Sequence, residues 1–152
     1  MNPQAAQIYF RTKIFTATPE QLQMMLYDGA IRFGQTAREA LLKKNYEKSY
    51  QSLNRVQKII VELLGGLRPE ISPDLCGKLA ALYKYAYRKI AEANITHDLE
   101  CLDEGLKVLE FQRETWSMLM DQLGRAKAAE AAQKLNVPSP DARMEASISM
   151  QG

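Results

Sequence analysis

Apolar residues recur at steps of three and four through four long stretches of this chain, the spacing of one face of an α-helix. The densest signal lies in residues 80–98, AALYKYAYRKIAEANITHD, and in the turn before it. Leu75, Leu79, Leu82, Ala86, Ile90 and Ala93 form one stripe, and Cys76, Ala80, Tyr83 and Tyr87 form a second beside it. A helix in a simple bundle needs only the first; the second is either more core or a surface that another chain covers. Ser72-Pro73-Asp74 supplies a cap, a proline at the first position and an acid in the first turn, so the helix starts there and runs to about residues 94–95.

Three other stretches read the same way. Thr18-Pro19-Glu20 opens a helix with a core stripe of Leu22, Met25 or Leu26, Gly29, Phe33, Ala37 and Ala40 or Leu41, and a second stripe of Met24, Tyr27 and Ile31. It stops at Lys43-Lys44-Asn45. The next helix carries Tyr46, Ser49, Leu53, Val56, Ile60, Leu63 and Leu67, and Gly65-Gly66 ends it. The last opens at Thr96 or His97 and repeats Leu99, Leu102, Leu106, Leu109, Arg113, Trp116, Met120 and Leu123. No segment alternates at period two for long enough to make a strand. The pattern predicts an all-α fold: an antiparallel up-down-up-down four-helix bundle over residues 18–123. Residues 1–17 have no period but too many large apolar groups for a solvated tail, so they are expected to lie on the bundle as an arm. Residues 124–152 read as a short Ala-rich helix and a flexible tail.

Composition narrows the class. Of 152 residues, 46% are apolar and 25% charged, values of an ordinary globular domain. The net charge of +2 comes from interspersed groups, so no basic run points to nucleic acid or an anionic membrane. No apolar stretch approaches the roughly 20 residues that span a bilayer, and the N-terminus does not read as a secretory signal. Cys76 and Cys101 sit inside apolar helical patterns and read as free thiols in a reducing cytoplasm.

Catalytic chemistry finds little purchase. The single histidine, His97, stands at a helix boundary. Paired Glu-x-x-His motifs, clustered Cys and His, and Gly-rich phosphate loops do not occur, so neither a metal nor a cofactor is called for. Arg113 within the last stripe admits a small all-helical enzyme, or an edge arginine paired with a carboxylate. The doubled stripes admit two readings as well. They form a groove for an amphipathic partner helix, or a surface that the N-terminal arm permanently covers.

Three motifs together resemble a known family. Residues 16–33, TATPEQLQMMLYDGAIRF, resemble the first-helix signature of the flagellar secretion chaperones of the FliS family. Residues 81–98 resemble its second signature, with the tyrosines, Tyr-Arg-Lys and Glu-Ala-Asn. Arg113-Glu-Thr-Trp116 matches its R-x-x-W, and Tyr9 and Ile14 fall where the family has a Tyr and an aliphatic residue. The resemblance implies a non-enzymatic cytoplasmic export chaperone. It would bind the C-terminal segment of flagellin, prevent premature polymerisation and deliver the subunit to the type III export gate. Contacts with an export-gate protein and a flagellar regulator are also implied. Flagellin would meet Ile8, Tyr9 and Ile14 of a movable cap, Met24, Tyr27 and Ile31, and Tyr83 and Tyr87. The chain is expected to be a monomer or weak homodimer; the rival to the chaperone reading is a self-associating helical adaptor.

Overall fold

The computed structural model describes residues 2–135, and these form five helices: α1 (Pro3–Thr16), α2 (Pro19–Leu42), α3 (Tyr46–Gly65), α4 (Pro73–Thr96) and α5 (Leu99–Lys134). Helices account for every regular element among the described residues. The chain divides into two units, residues 1–115 and 116–152. The first holds α1 to α4 and α5 as far as Thr115. The second, described as far as residue 135, is the remainder of α5, which passes Gly124 as uninterrupted helix. The expected tail beyond residue 135 lies outside the described residues.

Local chemistry sets the boundaries. At α2 the Thr18 hydroxyl accepts from the Gln21 amide at 3.1 Å, and Gln21 Oε1 accepts from the Thr18 amide at 2.9 Å. That is a reciprocal capping box, with Pro19 in the first turn. Asn45 caps α3 through Oδ1 to the Lys48 amide at 3.2 Å. Ser72 departs from expectation and makes no side-chain cap bond, so α4 starts on Pro73 and the Asp74 charge alone. The α4–α5 boundary also shifts. His97 does not open α5; it closes α4 in the left-handed region at φ 59° and stacks on Tyr46, with ring centroids 4.0 Å apart. Asp98 takes over as cap, Oδ1 accepting from the Glu100 amide at 2.9 Å.

Within the first unit, two side-chain contacts between α2 and α5 set that pair antiparallel. Arg38 meets Asp103 and Arg113 meets Asp28 between α2 and α5. Asn94 meets Asn54 between α4 and α3. Lys89 meets Glu104 between α4 and α5 at 2.9 Å. The Arg55 guanidinium of α3 lies 5.1 Å from the Phe33 ring of α2.

The core is built mainly from large residues on three helices, and on the fourth from a seam of small residues together with Tyr27 and Leu41. Leu53, Val56, Ile60 and Leu63 of α3, Ile90 of α4, and Leu102, Leu106 and Leu109 of α5 are buried. Helix α2 answers with Gly29, Ala30, Gly34, Ala37 and Ala40. The expected α2 stripe holds at Gly29, Ala37, Ala40 and Leu41 but not at Leu22 or Phe33. Leu22 is exposed, and Phe33 is half-buried beneath Arg32 and Arg55. The reason is steric: a Cβ at Gly34 would fall 2.2 Å from Leu106 Cδ2. Helix α4 shows a similar switch, with Leu75 and Leu82 exposed and Tyr83 taken into the core.

The arm is a 14-residue helix rather than an irregular segment, yet it buries no residue. Ile8, Tyr9, Phe10, Ile14 and Phe15 fall all around its axis, so no single face can be packed away. The expected docking of Ile8, Tyr9 and Ile14 over a groove is therefore not what the structure holds.

Two substitutions test the small-residue seam by urea unfolding. Gly34→Val is expected to cost ~2 kcal/mol or more through overpacking against Leu106. Leu106→Ala in the same chain should make the combined loss smaller than the sum of the two single losses. Gly77→Ala, where an added Cβ meets nothing within 4 Å, should instead stabilise by about 0.5–1 kcal/mol.

Candidate partner-binding surface

The alternating tyrosines of α4 point three ways. Tyr83 enters the core at 1% exposure, and its hydroxyl hydrogen-bonds that of Tyr27 from α2, itself 2% exposed. Gln23 Nε2 donates to the Tyr27 hydroxyl at 3.2 Å, so the buried pair is joined to a surface amide. Burial first, and the Tyr27 hydrogen bond second, hold the Tyr83 phenol far above its ordinary range, and it stays neutral.

Tyr85 and Tyr87 each open onto a surface channel. Tyr87, half-buried, lines one of about 480 Å³ between α4 and α3, with Ile59, Val61, Asn54 and Gln57. Tyr85 lines another of about 390 Å³ between α4 and α5, with Leu82, Val108 and Phe111. At the edge of the second, Lys89 Nζ lies 2.9 Å from Glu104 and 5.8 Å from the Tyr85 ring centre. Both channels are open troughs with apolar walls and polar rims. An amphipathic helix fits that chemistry better than a small polar substrate does.

A third concavity of about 450 Å³ lies in the elbow between α1 and α2. Met24, Met25, Gln21 and Asp28 face Lys13, Thr16 and Ala17 there. Asp28 also receives Arg113, and this hydrogen bond raises the guanidinium further above its ordinary value. Both side chains are more than one-third exposed, so water screens the pair and it adds little to stability.

The sequence-predicted residues thus fall in four places. Ile8, Tyr9 and Ile14 are exposed on α1. Met24 lines the elbow, and Ile31 is half-buried further along α2. Tyr87 lines the α3–α4 channel. Tyr27 and Tyr83 come together in the core, where they support the surface from beneath and offer a partner no area. Tyr85 and Phe111 were missed. Phe111 is 67% exposed and lies off the α5 stripe, which is the signal that could have found it. Among the described residues, no group of three His, Cys, Asp or Glu is placed to hold a metal. No helix among the described residues is long and apolar enough to cross a membrane.

The family model described as "Flagellar protein FliS" matches residues 1–123, from α1 well into α5. The chain belongs to the FliS family. A Bacillus subtilis protein named flagellar secretion chaperone FliS is 34% identical over 115 residues, which are 76% of this chain and 84% of that one. A Salmonella typhimurium protein of the same name is 29% identical over 115 residues, 75% of this chain and 85% of its own. A solved structure described as "Crystal structure of flagellar chaperone from bacteria" superposes with a TM-score of 0.64. It covers 78% of this chain and 97% of its own, and at 24% identity it bears on the fold alone. FliS membership places the chain among flagellar secretion chaperones, not enzymes.

The buried hydroxyl pair yields a double-mutant prediction. Tyr83→Phe leaves the Tyr27 hydroxyl short of a partner and should cost about 1–3 kcal/mol, whereas Tyr27→Phe with Tyr83→Phe should be nearer neutral. The folded state favours neutral Tyr83, so its stabilising effect is complete below the ordinary phenol range and declines as pH rises through it. The stability gap between wild type and Tyr83→Phe should therefore narrow above pH ~10, read by chemical denaturation across pH. Thiol reactivity provides a separate check. Cys101 is 7% exposed, and burial pushes its thiol up to about 11. At pH ~8 a disulfide reagent should label the half-buried Cys76 readily and Cys101 only on unfolding.

Proposed function

We propose that this FliS-family protein is a cytosolic export chaperone that captures the C-terminal segment of newly made flagellin. By occupying that segment it prevents premature polymerisation and delivers the subunit to the flagellar type III export apparatus. The observation that carries the reading is α4: within a chain of this family, it presents Tyr85 and Tyr87 to two open apolar channels on either side of itself. A segment that is disordered when free can fold into such troughs as amphipathic helix. Ordering it costs ~2–5 kcal/mol or more of the gross interaction energy, so affinity depends on extended apolar contact.

The exposed arm suits a second role. Helices α1 and α2 are separated by Ala17 and Thr18 alone, both in extended conformation. Ile8, Tyr9 and Ile14 can swing about that joint toward the elbow at Met24, or toward an export-gate protein or flagellar regulator once flagellin is bound. Met24 and Ile31 are contacts on the α2 side, and Tyr27 and Tyr83 hold the channel walls in place. The same exposed side chains on α1 also suit a self-associating adaptor, which sedimentation at increasing concentration distinguishes from a monomer.

Isothermal titration of the full chain with a peptide of the C-terminal region of the cognate flagellin tests the proposal. One-to-one binding with a negative heat-capacity change is expected. Tyr87→Ala should weaken it by roughly tenfold or more, the loss of one buried aromatic anchor. Removing residues 1–17 should change the affinity and leave α2 to α5 helical by circular dichroism. No binding at high micromolar peptide would remove flagellin as the partner.

A further inference from the structure

The α3–α4 channel is not uniformly apolar. Asn94 of α4, half-buried, directs its Nδ2 group to both Asn54 Oδ1 at 3.2 Å and Gln57 Oε1 at 3.5 Å, from α4 to α3. Asn54 and Gln57 therefore turn their carbonyl oxygens to Asn94, and among the described residues their own NH2 groups make no hydrogen bond. Both residues line the channel. Polar donors in an apolar trough are costly to cover unless the guest supplies acceptors.

The backbone of an amphipathic helix has free acceptors in one place. Its last four backbone carbonyls lack partners inside the helix, while its first turn offers only free N–H donors. The charges along the channel select the same end. Lys58 sits beside the two free amide groups, and Glu62 lies one turn further along α3. Neither forms an ion pair among the described residues. A cation is favourable at the negative C-terminal end of a helix and an anion at its positive N-terminal end. Hydrogen bonding and dipole thus agree.

We infer that Asn54, Gln57 and Lys58 receive the C-terminal end of a guest helix and Glu62 its N-terminal side, so that the bound segment runs antiparallel to α3 and parallel to α4. From Asn54 to Glu62 is a rise of about 12 Å, some two turns of helix. The channel therefore fixes the direction and register of a short segment and leaves the rest of the guest to other surfaces. This rests on the chaperone reading above and adds a polarity to it. Asn54 and Gln57 act as specificity-determining residues: a guest whose helix runs through this point unbroken leaves the two amides covered and unmet.

The test uses the full chain, labelled with 15N, and the flagellin C-terminal peptide carrying a nitroxide at one of several successive positions. The expected result is an order. Nitroxide positions that broaden the Asn54 and Asn94 side-chain amide signals lie C-terminal, in the peptide, to those that broaden the Val61 and Glu62 backbone signals. The opposite order, or tight binding with none of these signals broadened, overturns the inference and leaves flagellin capture standing. No binding of any labelled peptide removes flagellin capture and this inference together. Asn54→Asp supplies the second arm. It keeps the acceptor for Asn94 and replaces the free donor by a carboxylate, so the melting temperature should hold while peptide affinity falls about tenfold or more. Unchanged affinity in a folded Asn54→Asp protein overturns the inference as well.

Discussion

The first unit depends on helices approaching one another more closely than ordinary side chains permit, and two glycines make this possible. At Gly34, Leu106 of α5 fills the space that a Cβ of α2 would need. At Gly105, one residue before that leucine, Ile90 of α4 comes within 3.0 Å of the corresponding position on α5. Helix α5 thus inserts a side chain into one neighbour and receives one from the other at adjacent positions. Contacts of this kind are geared, because sliding either pair forces the other out of register. Everything described on the surface follows from that register. The tyrosines of α4 diverge as they do because Ile90, three residues past Tyr87, is locked against Gly105.

Small residues explain why some of this was legible in the sequence and some was not. On α3 the apolar stripe is Leu, Val and Ile with polar residues opposite, and all of Leu53, Val56, Ile60 and Leu63 are buried where the spacing predicts. On α2 the true seam is glycine and alanine. Periodicity weighs hydrophobicity rather than size, so Leu22 and Phe33 outranked Ala30 and Gly34 and were assigned inward. Tyr83 lies in a second apolar stripe that spacing cannot assign to core or to a covered surface, and what decides it is a buried partner, Tyr27, 56 residues away. Local spacing carries no trace of such a pairing. The boundary at His97 was missed because a left-handed histidine is uncommon and depends on a stacking partner in another helix. The arm escaped as a helix because its apolar residues have no period at all.

The surface was legible in outline and indistinct in detail. The motifs in residues 16–33 and 81–98, with Arg113 and Trp116, were enough to indicate the family, and the excess of apolar positions on α4 pointed to a partner. Which tyrosine faces which trough depends on helix rotation, and a helix is rotated by its neighbours. Phe111 and Tyr85 form one trough only once α5 and α4 are side by side, and Asn54, Gln57 and Asn94 meet only across α3 and α4. The polar residues of the candidate site are thus the least visible from sequence, because each looks like an ordinary solvated side chain until its neighbour is in place.

The stacked rings of Tyr46 and His97 bear on how the bundle yields. They join the α2–α3 turn to the α4–α5 turn, and both turns are short, each holding a residue with positive φ, Lys44 and His97. At the other end, α3 and α4 are joined by a longer loop, residues 66–72, in which Ile71 stands exposed. The bundle is therefore clasped at one end and loose at the other. Amide protons near the clasp are expected to exchange more slowly than those near the long loop. A guest that needs the troughs to widen finds compliance at the loose end first, and the widening tapers to nothing at the aromatic clasp.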